Sequence, residues 1–252
     1  MPIIQSVDRA LGILDLFNEF DSELKITEIS KRLNLHKSTV HSLLKTLEKH
    51  DYIEQNVENG KYRLGLKLFE RGNYVIASRD IRTMAKDHLY ELSKETGQTV
   101  HLVIQDGQEG VYIDKVEGAG ATVFYSRIGR RIPLHCSGVG KALIAFQADD
   151  EIAKTLEGYS YIKRTENTIT EQNSFMNEIE RIRQKGYAED VQENEPGIHC
   201  VAIPIRNHNG HVIAAISISM SAMKITEDII AQFVQLLTNT SNKLSAELGY
   251  EY

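Results

Sequence analysis

Between residues 27 and 64 the hydrophobic period of this sequence changes, and few folds accept that order of elements. Thr27 opens a short apolar-spaced stretch with Ile29 and Leu33, and Asn34-Leu35-His36 breaks it. Val40, Leu43, Leu44 and Leu47 then resume helical spacing. Next, Tyr52-Ile53-Glu54-Gln55 and Lys61-Tyr62-Arg63-Leu64 flank Asn59-Gly60. Asn-Gly between alternating segments predicts a β-hairpin with a type I′ turn, which needs positive φ at both central positions. Two short helices around a tight break form a helix-turn-helix, and a hairpin directly after the second helix forms a wing. Upstream, Val7, Ala10, Leu11, Leu14 and Phe17 predict one more amphipathic helix. Ser6 is the expected N-cap of that helix and Thr27 that of the next.

The helix carrying Val40 and Leu44 turns a polar face outward: Lys37, Ser38, Thr39, His41, Ser42 and Lys45. The second helix of such a motif enters the major groove with its N-terminal residues against base edges. Hydroxyls there can bond phosphates or bases, and lysines neutralise phosphates. Lys61 and Arg63 would lie beside the wing tip, near the backbone or minor groove. Double-stranded DNA is therefore the expected partner. A helical domain used for protein contacts would explain each cue singly but has no need of the whole order.

Charge agrees once it is located. The net charge is −6, yet the first 72 residues carry 11 Lys/Arg against 11 Asp/Glu, so the whole surplus lies beyond them. Acidic residues gather between Asp15 and Glu28, and Lys31, Arg32, Lys37, Lys45 and Lys49 follow. A locally basic face on an acidic protein suits one polyanion without general stickiness.

Past Leu64 the pattern is mixed. Gly65 and Gly72 mark residues 65–80 as a connector. Ile81, Met84, Ala85, Leu89 and Leu92 predict a helix stopped at Gly97. Strands are expected at 99–104 and 111–117 around Asp106-Gly107, at 122–126, and at 198–205 and 212–220 around Asn209-Gly210. Residues 137–146 read as a loop running into a helix, 175–182 as a helix ending near Gly186, and 226–248 as a long closing helix. Helices mixed with hairpin-linked strands predict an α+β domain on an antiparallel sheet. The expected organisation is thus 1–72 winged helix-turn-helix, 73–95 connector helices and 96–252 effector domain. At 252 residues, 41% hydrophobic and 25% charged, the chain is of ordinary globular composition. No window approaches eighteen apolar residues, so no membrane span is expected. The N-terminus lacks a secretory pattern, and the two cysteines, Cys136 and Cys200, have neither disulfide-framework nor metal spacing, so a cytoplasmic location is expected.

Together these stretches resemble the IclR-type (isocitrate-lyase-regulator) family of bacterial transcription regulators. The likeness rests on Ser6-Val7-Asp8-Arg9-Ala10-Leu11, Ile26-Thr27-Glu28-Ile29, Leu35-His36-Lys37-Ser38-Thr39-Val40 and Tyr62-Arg63-Leu64-Gly65. It continues through Gly97-Gln98-Thr99-Val100-His101-Leu102, Pro133-Leu134-His135 with Gly138-Val139-Gly140-Lys141-Ala142, Gly186-Tyr187-Ala188-Glu189-Asp190 and Gly197-Ile198-His199-Cys200-Val201-Ala202. The resemblance implies a GAF-like effector domain, a homodimer or tetramer, and a small-molecule effector, often a carboxylate or an aromatic acid. It places that effector among Cys136, Ser137, Gly138, Val139, Asp190, Cys200, Ser217 and Ser219. Residue chemistry is compatible. Ser217 and Ser219 are two apart on a strand and face one side, whether toward a pocket or toward solvent. A loop entering a helix at 137–140 offers amide N–H groups to an anion.

Other signals are weaker. Gly138-Val139-Gly140-Lys141 matches the end of a phosphate-binding loop, but that pattern needs Gly at 135 and Ser or Thr at 142, where this chain has His135 and Ala142. His208 and His211 flank a turn without further ligands at metal spacing. No metal, cofactor or catalytic residue is expected. The competing reading is a GAF-like redox enzyme or sensor using Cys136 and Cys200, fused to a helix-turn-helix.

Overall fold

The computed structural model describes residues 3–18, 20–77, 80–120 and 126–250. The chain divides into two compact units, 1–78 and 79–252.

In the first unit, α1 (Gln5–Leu14), α2 (Ile26–Arg32) and α3 (Lys37–Lys49) precede strands β1 (Ile53–Gln55) and β2 (Tyr62–Leu64) and helix α4 (Leu66–Ala77). Ile13, Leu24, Ile29, Val40, Leu44, Ile53 and Tyr62 form its buried core. Leu24 adds a short bridge to the hairpin through paired bonds with Tyr62 of 2.9 and 2.8 Å. The helix caps differ from expectation. α1 starts one residue before Ser6, with Ile4 as N-cap, so the Ser6 hydroxyl lies within the first turn. α2 starts after Lys25, not Thr27; the Lys25 N–H donates to Glu28 Oε2 at 2.6 Å, and a third-position carboxylate does the work foreseen for a hydroxyl. Ile13 and Phe17 are buried, while Val7 and Leu11, expected on the same apolar face, are 53% and 56% exposed. The break between α2 and α3 is closed by Asn34 at φ 51° and by Ser30 Oγ donating to Leu35 O at 2.6 Å. The wing loop runs from Asn56 to Lys61, and only Gly60, at φ 68°, takes the left-handed region. The type I′ turn is absent because Glu23 spreads the loop: its two oxygens accept from Asn56 Nδ2 at 3.1 Å and Asn59 Nδ2 at 2.8 Å. Residues 66–77 are helical throughout, so the helical part of the connector begins earlier than the 73 expected.

The second unit is built on a six-stranded, fully antiparallel sheet with strand order β5-β4-β3-β8-β7-β6. The strands are β3 (Thr99–Asp106), β4 (Glu109–Val116), β5 (Arg131–Pro133), β6 (Ala188–Val191), β7 (Ile198–Arg206) and β8 (Val212–Ser221). Period-two alternation sends Val100, Leu102, Ile216, Ile218, Val201 and Ile203 to one face, where α5 (Asp80–Thr96) and α9 (Glu227–Glu247) cover them. α5, expected within a connector, thus packs Ala85, Leu89 and Leu92 into this core. Gly97 ends it at φ 67°, as its position foretold. The other face carries α6 (Gly138–Ala145), α7 (Asp149–Thr155) and α8 (Gln172–Lys185) over small residues such as Ala202 and Ala215. Helix α7 and strands β5 and β6 had not been foreseen as elements. The strand expected at 122–126 lies, but for Ser126, outside the described residues.

Candidate functional site: a recognition face and a buried polar cavity

The residues expected to meet DNA occupy α3 and the hairpin. Lys37, Ser38, His41, Ser42 and Lys45 are exposed on α3, whereas Thr39 is half-buried. Val40 and Leu44, on the opposite side, are fully buried and hold the helix against the core. Ser42 Oγ donates to Ser38 O at 3.1 Å, and Lys45 Nζ sits 2.6 Å from Glu48 Oε2. On the wing, Lys61 is half-buried, and Arg63 Nε donates to Glu54 Oε1 at 2.6 Å. Arg32 is also engaged, in a two-point pair with Asp21 at 2.7 and 3.0 Å that holds the Asp21 carboxyl below its usual range.

The second site lies in the other unit, on the α6 side of the sheet. Ser137, Gly138, Val139, Asp190, Cys200, Ser217 and Ser219 line one narrow cavity of about 30 Å³, room for roughly one water. Ser217 and Ser219 are each only 2% exposed, which excludes a solvent-facing row. Cys136 corrects the expected set. It is fully buried and not among the described residues lining the cavity; its Sγ faces Asn194 Oδ1 at 3.9 Å. Cys136 lies in the turn after β5, at 134–136, and of these two neighbours only Ser137 reaches the wall.

Sheet register assembles this wall. Ser217 is opposite both His101 and Ala202, and Ser219 is opposite Cys200. His101, quoted in a motif but not expected as a site residue, is the hub: Nδ1 is 3.5 Å from Ser217 Oγ and 3.4 Å from Ser219 Oγ, and Nε2 is 2.7 Å from Ser126 Oγ. Burial, then the Lys115 charge, push its pKa down to about 3, so the ring is neutral and acts as one donor and one acceptor. Tyr112 stacks at a tilt on it, with centroids 5.0 Å apart. Tyr112, Ser126, Asn194 and Glu195 complete the polar lining, none of them anticipated.

Asp190 closes the cavity floor. Its Oδ1 accepts from Glu193 N at 2.7 Å and Asn194 N at 3.3 Å. Burial outweighs those bonds and pushes its pKa up to about 7, so a proton on this carboxyl is available near neutrality. The Asp190–Glu195 loop is fastened from below by Lys141, which is fully buried and 2.6 Å from Glu193 Oε1. The start of α6 is equally fixed. Ser137 Oγ accepts from Gly140 N at 3.1 Å, and a Cβ on Gly140 would fall 2.5 Å from Pro133 O. The Gly140 amide is thus already used by the protein. Burial pushes both thiols up, Cys136 to about 12 and Cys200 further, so neither is a ready thiolate at neutral pH, against the redox-enzyme reading.

Two family models match successive parts of the sequence. The IclR helix-turn-helix domain matches residues 6–57, and the bacterial transcriptional regulator IclR C-terminal domain matches residues 73–246. The chain belongs to the IclR family of bacterial transcription regulators. It is 54% identical to the HTH-type transcriptional regulator XynR of Escherichia coli K12, covering 99% of both chains. It is 38% identical to KdgR of the same organism, over 98% of this chain and 94% of that one. The crystal structure of Thermotoga maritima IclR matches with TM-score 0.83 at 37% identity, covering 98% of this chain and all of that one. As an IclR regulator the chain binds DNA through its helix-turn-helix and a small-molecule effector through its C-terminal domain. Its curated relatives are named as regulators, not enzymes. No helix among the described residues is long and apolar enough to cross a membrane.

Proposed function

We propose that this IclR regulator reads an inverted-repeat operator as a dimer or tetramer, and that a small organic acid entering the cavity between β8 and α6 changes operator affinity without being chemically altered. The observation that carries the effector half is the buried polar cluster of His101, Ser217 and Ser219 facing free space. Three polar side chains buried around free space, with long hydrogen bonds among themselves, suit a ligand's oxygens. The cavity is narrow, so an effector must widen it, and that gives the ligand unequal affinity for two forms of the protein. The operator half rests on the exposed face of Lys37, Ser38, His41, Ser42 and Lys45, with Thr39 at its edge and Lys61 and Arg63 on the wing. Exposed Ile4 at the N-cap of α1, Val7 and Leu11 on α1, and Leu66 and Phe69 on α4 support self-association, since a monomer gains nothing by exposing them. DNA as its partner puts the chain, in this reading, in the cytoplasm. Thermal-shift screening of the full chain against organic acids should find a ligand that raises Tm. Replacing both Ser217 and Ser219 with Ala should abolish that shift, and a shift that survives intact moves the effector elsewhere.

A further inference from the structure

Tyr112 and Asp114 are two apart on β4, a spacing that ordinarily sends both side chains to one face of a sheet. Here they part. Tyr112 is opposite Val103, lines the cavity and lies against the His101 ring. Asp114 is opposite Leu102, whose side chain belongs to the core under α5 and α9. The register slips by one residue between these two pairs, and Ile113, the extra residue, packs against that same core. A bulge of this kind leaves one residue unpaired, bends its strand and re-aims the neighbouring side chains. Lys115, next along, is opposite His101 and back on the cavity side, where its Nζ donates to Ser126 O at 2.9 Å.

The bulge gives β4 a contact through the sheet. Asp114 Oδ2 accepts from Arg82 Nε at 3.4 Å, and Asp114 Oδ1 accepts from Lys115 N at 2.9 Å. One carboxylate thus joins the bulged backbone to helix α5. A charge-assisted bond is usually ~2.7–2.9 Å long, so this pair has room to tighten when the strand moves. Its side chains are 26% and 15% exposed, and water screens it less than a surface pair. Arg82 stands in the first turn of α5, the helix with which the second unit begins. An occupant that widens the cavity has to displace part of its wall, and Tyr112 is part of that wall. Protein interiors are close-packed, so a displaced wall passes its movement on instead of absorbing it.

We propose that the β4 bulge and the Arg82–Asp114 pair carry the widening of the cavity to the first turn of α5, so that Arg82 and Asp114 are positioning residues that set the coupling between effector and operator while touching neither. This rests on the reading of the cavity as the effector site. Ser217→Leu widens the cavity with no ligand present, because a leucine side chain exceeds the free space of about 30 Å³ and overpacking forces neighbours to shift. Ser217→Val is the milder filler should the leucine variant not fold. Each filler is placed in the full-length parent and in chains carrying Arg82→Gln, Asp114→Asn or Arg82→Lys, and operator affinity is read by fluorescence anisotropy. In the parent the filler should change operator affinity by about fivefold or more. With Arg82→Gln or Asp114→Asn the same filler should change it by less than about twofold, and Arg82→Lys should keep part of the response. Amide hydrogen exchange over residues 80–85 should change with the filler in the parent and not in Arg82→Gln, a pattern that a merely structural ion pair does not produce. A filler whose effect is undiminished by Arg82→Gln and by Asp114→Asn overturns the link and leaves the cavity as the effector site. Fillers that fold and leave operator affinity unchanged in the parent overturn both.

Discussion

Two ion pairs of equal length separate the two halves of this regulator. Lys45 lies 2.6 Å from Glu48 on α3, and Lys141 lies 2.6 Å from Glu193 beneath the effector cavity. The first pair is open to water, with side chains 51% and 30% exposed; the second is buried, at 0% and 9%. An exposed pair contributes little to stability, because water screens it and both side chains pay entropy to meet. Removing one partner of a buried pair leaves the other charge stranded. The DNA-reading half can therefore change its polar surface at small structural cost, whereas the effector half has its polar groups locked into the fold.

The largest effect should follow from Lys141→Met. It strands Glu193, whose Oε2 already lacks a partner, and frees the 190–195 loop. A destabilisation of about 3–5 kcal/mol is expected by urea unfolding. A loss under about 1 kcal/mol would mean that the loop does not depend on this clamp, and the contrast with Lys45 would vanish.

Asp190→Asn should have an effect that depends on pH. The Asp190 pKa is raised to about 7 in the folded chain. Unfolded, it titrates near ~3.9. Between those values the native state holds a proton that the unfolded state has released, so the stability from this group is present below about pH 4 and is lost as pH rises through 7. The Asn side chain can still accept from Glu193 N and Asn194 N. The variant should thus gain on the parent as pH rises from 4 to 8, by at most about 1.4 kcal/mol per unit. A Tm difference independent of pH would show that Asp190 is already ionised at pH 4.

The smallest stability effect belongs to the recognition face. Lys37→Ala and Lys45→Ala should each change stability by less than about 0.5 kcal/mol. Each should weaken every duplex and reduce the salt dependence of binding by about one unit of slope. Unchanged slopes in filter-binding titrations would remove these lysines from the phosphate contacts.

The same contrast explains what the sequence made legible. The recognition face lies within nine residues of one helix, so local periodicity displays it whole. The cavity gathers residues 101, 112, 126, 132, 137–139, 190, 194, 195, 198, 200, 217 and 219 from separate strands and loops. The alternation Thr99-Val100-His101-Leu102 could have flagged His101 as the polar member of its strand, but its pairing with Ser217 depends on β3 lying beside β8. Resemblance to the family supplied seven of the cavity residues and also named Cys136, which the turn after β5 sets against Asn194 rather than on the cavity wall. The caps and the wing turn were misread for another reason. Glu28 caps α2 from its third position where a first-position hydroxyl was sought, and Glu23 holds Asn56 and Asn59 from far along the chain, a partner that short-range turn rules leave out.

The central claim is that the two halves are separate sites joined by one equilibrium. Fluorescence anisotropy on the operator, with and without the organic acid that raises Tm, tests it most directly. In the parent protein the acid should change operator affinity by roughly 5- to 150-fold, a coupling of about 1–3 kcal/mol. The protein with Ser217→Ala and Ser219→Ala together should bind the operator within about twofold of the parent and ignore the acid. A double variant that still responds, or that loses the operator while remaining folded, would contradict the account.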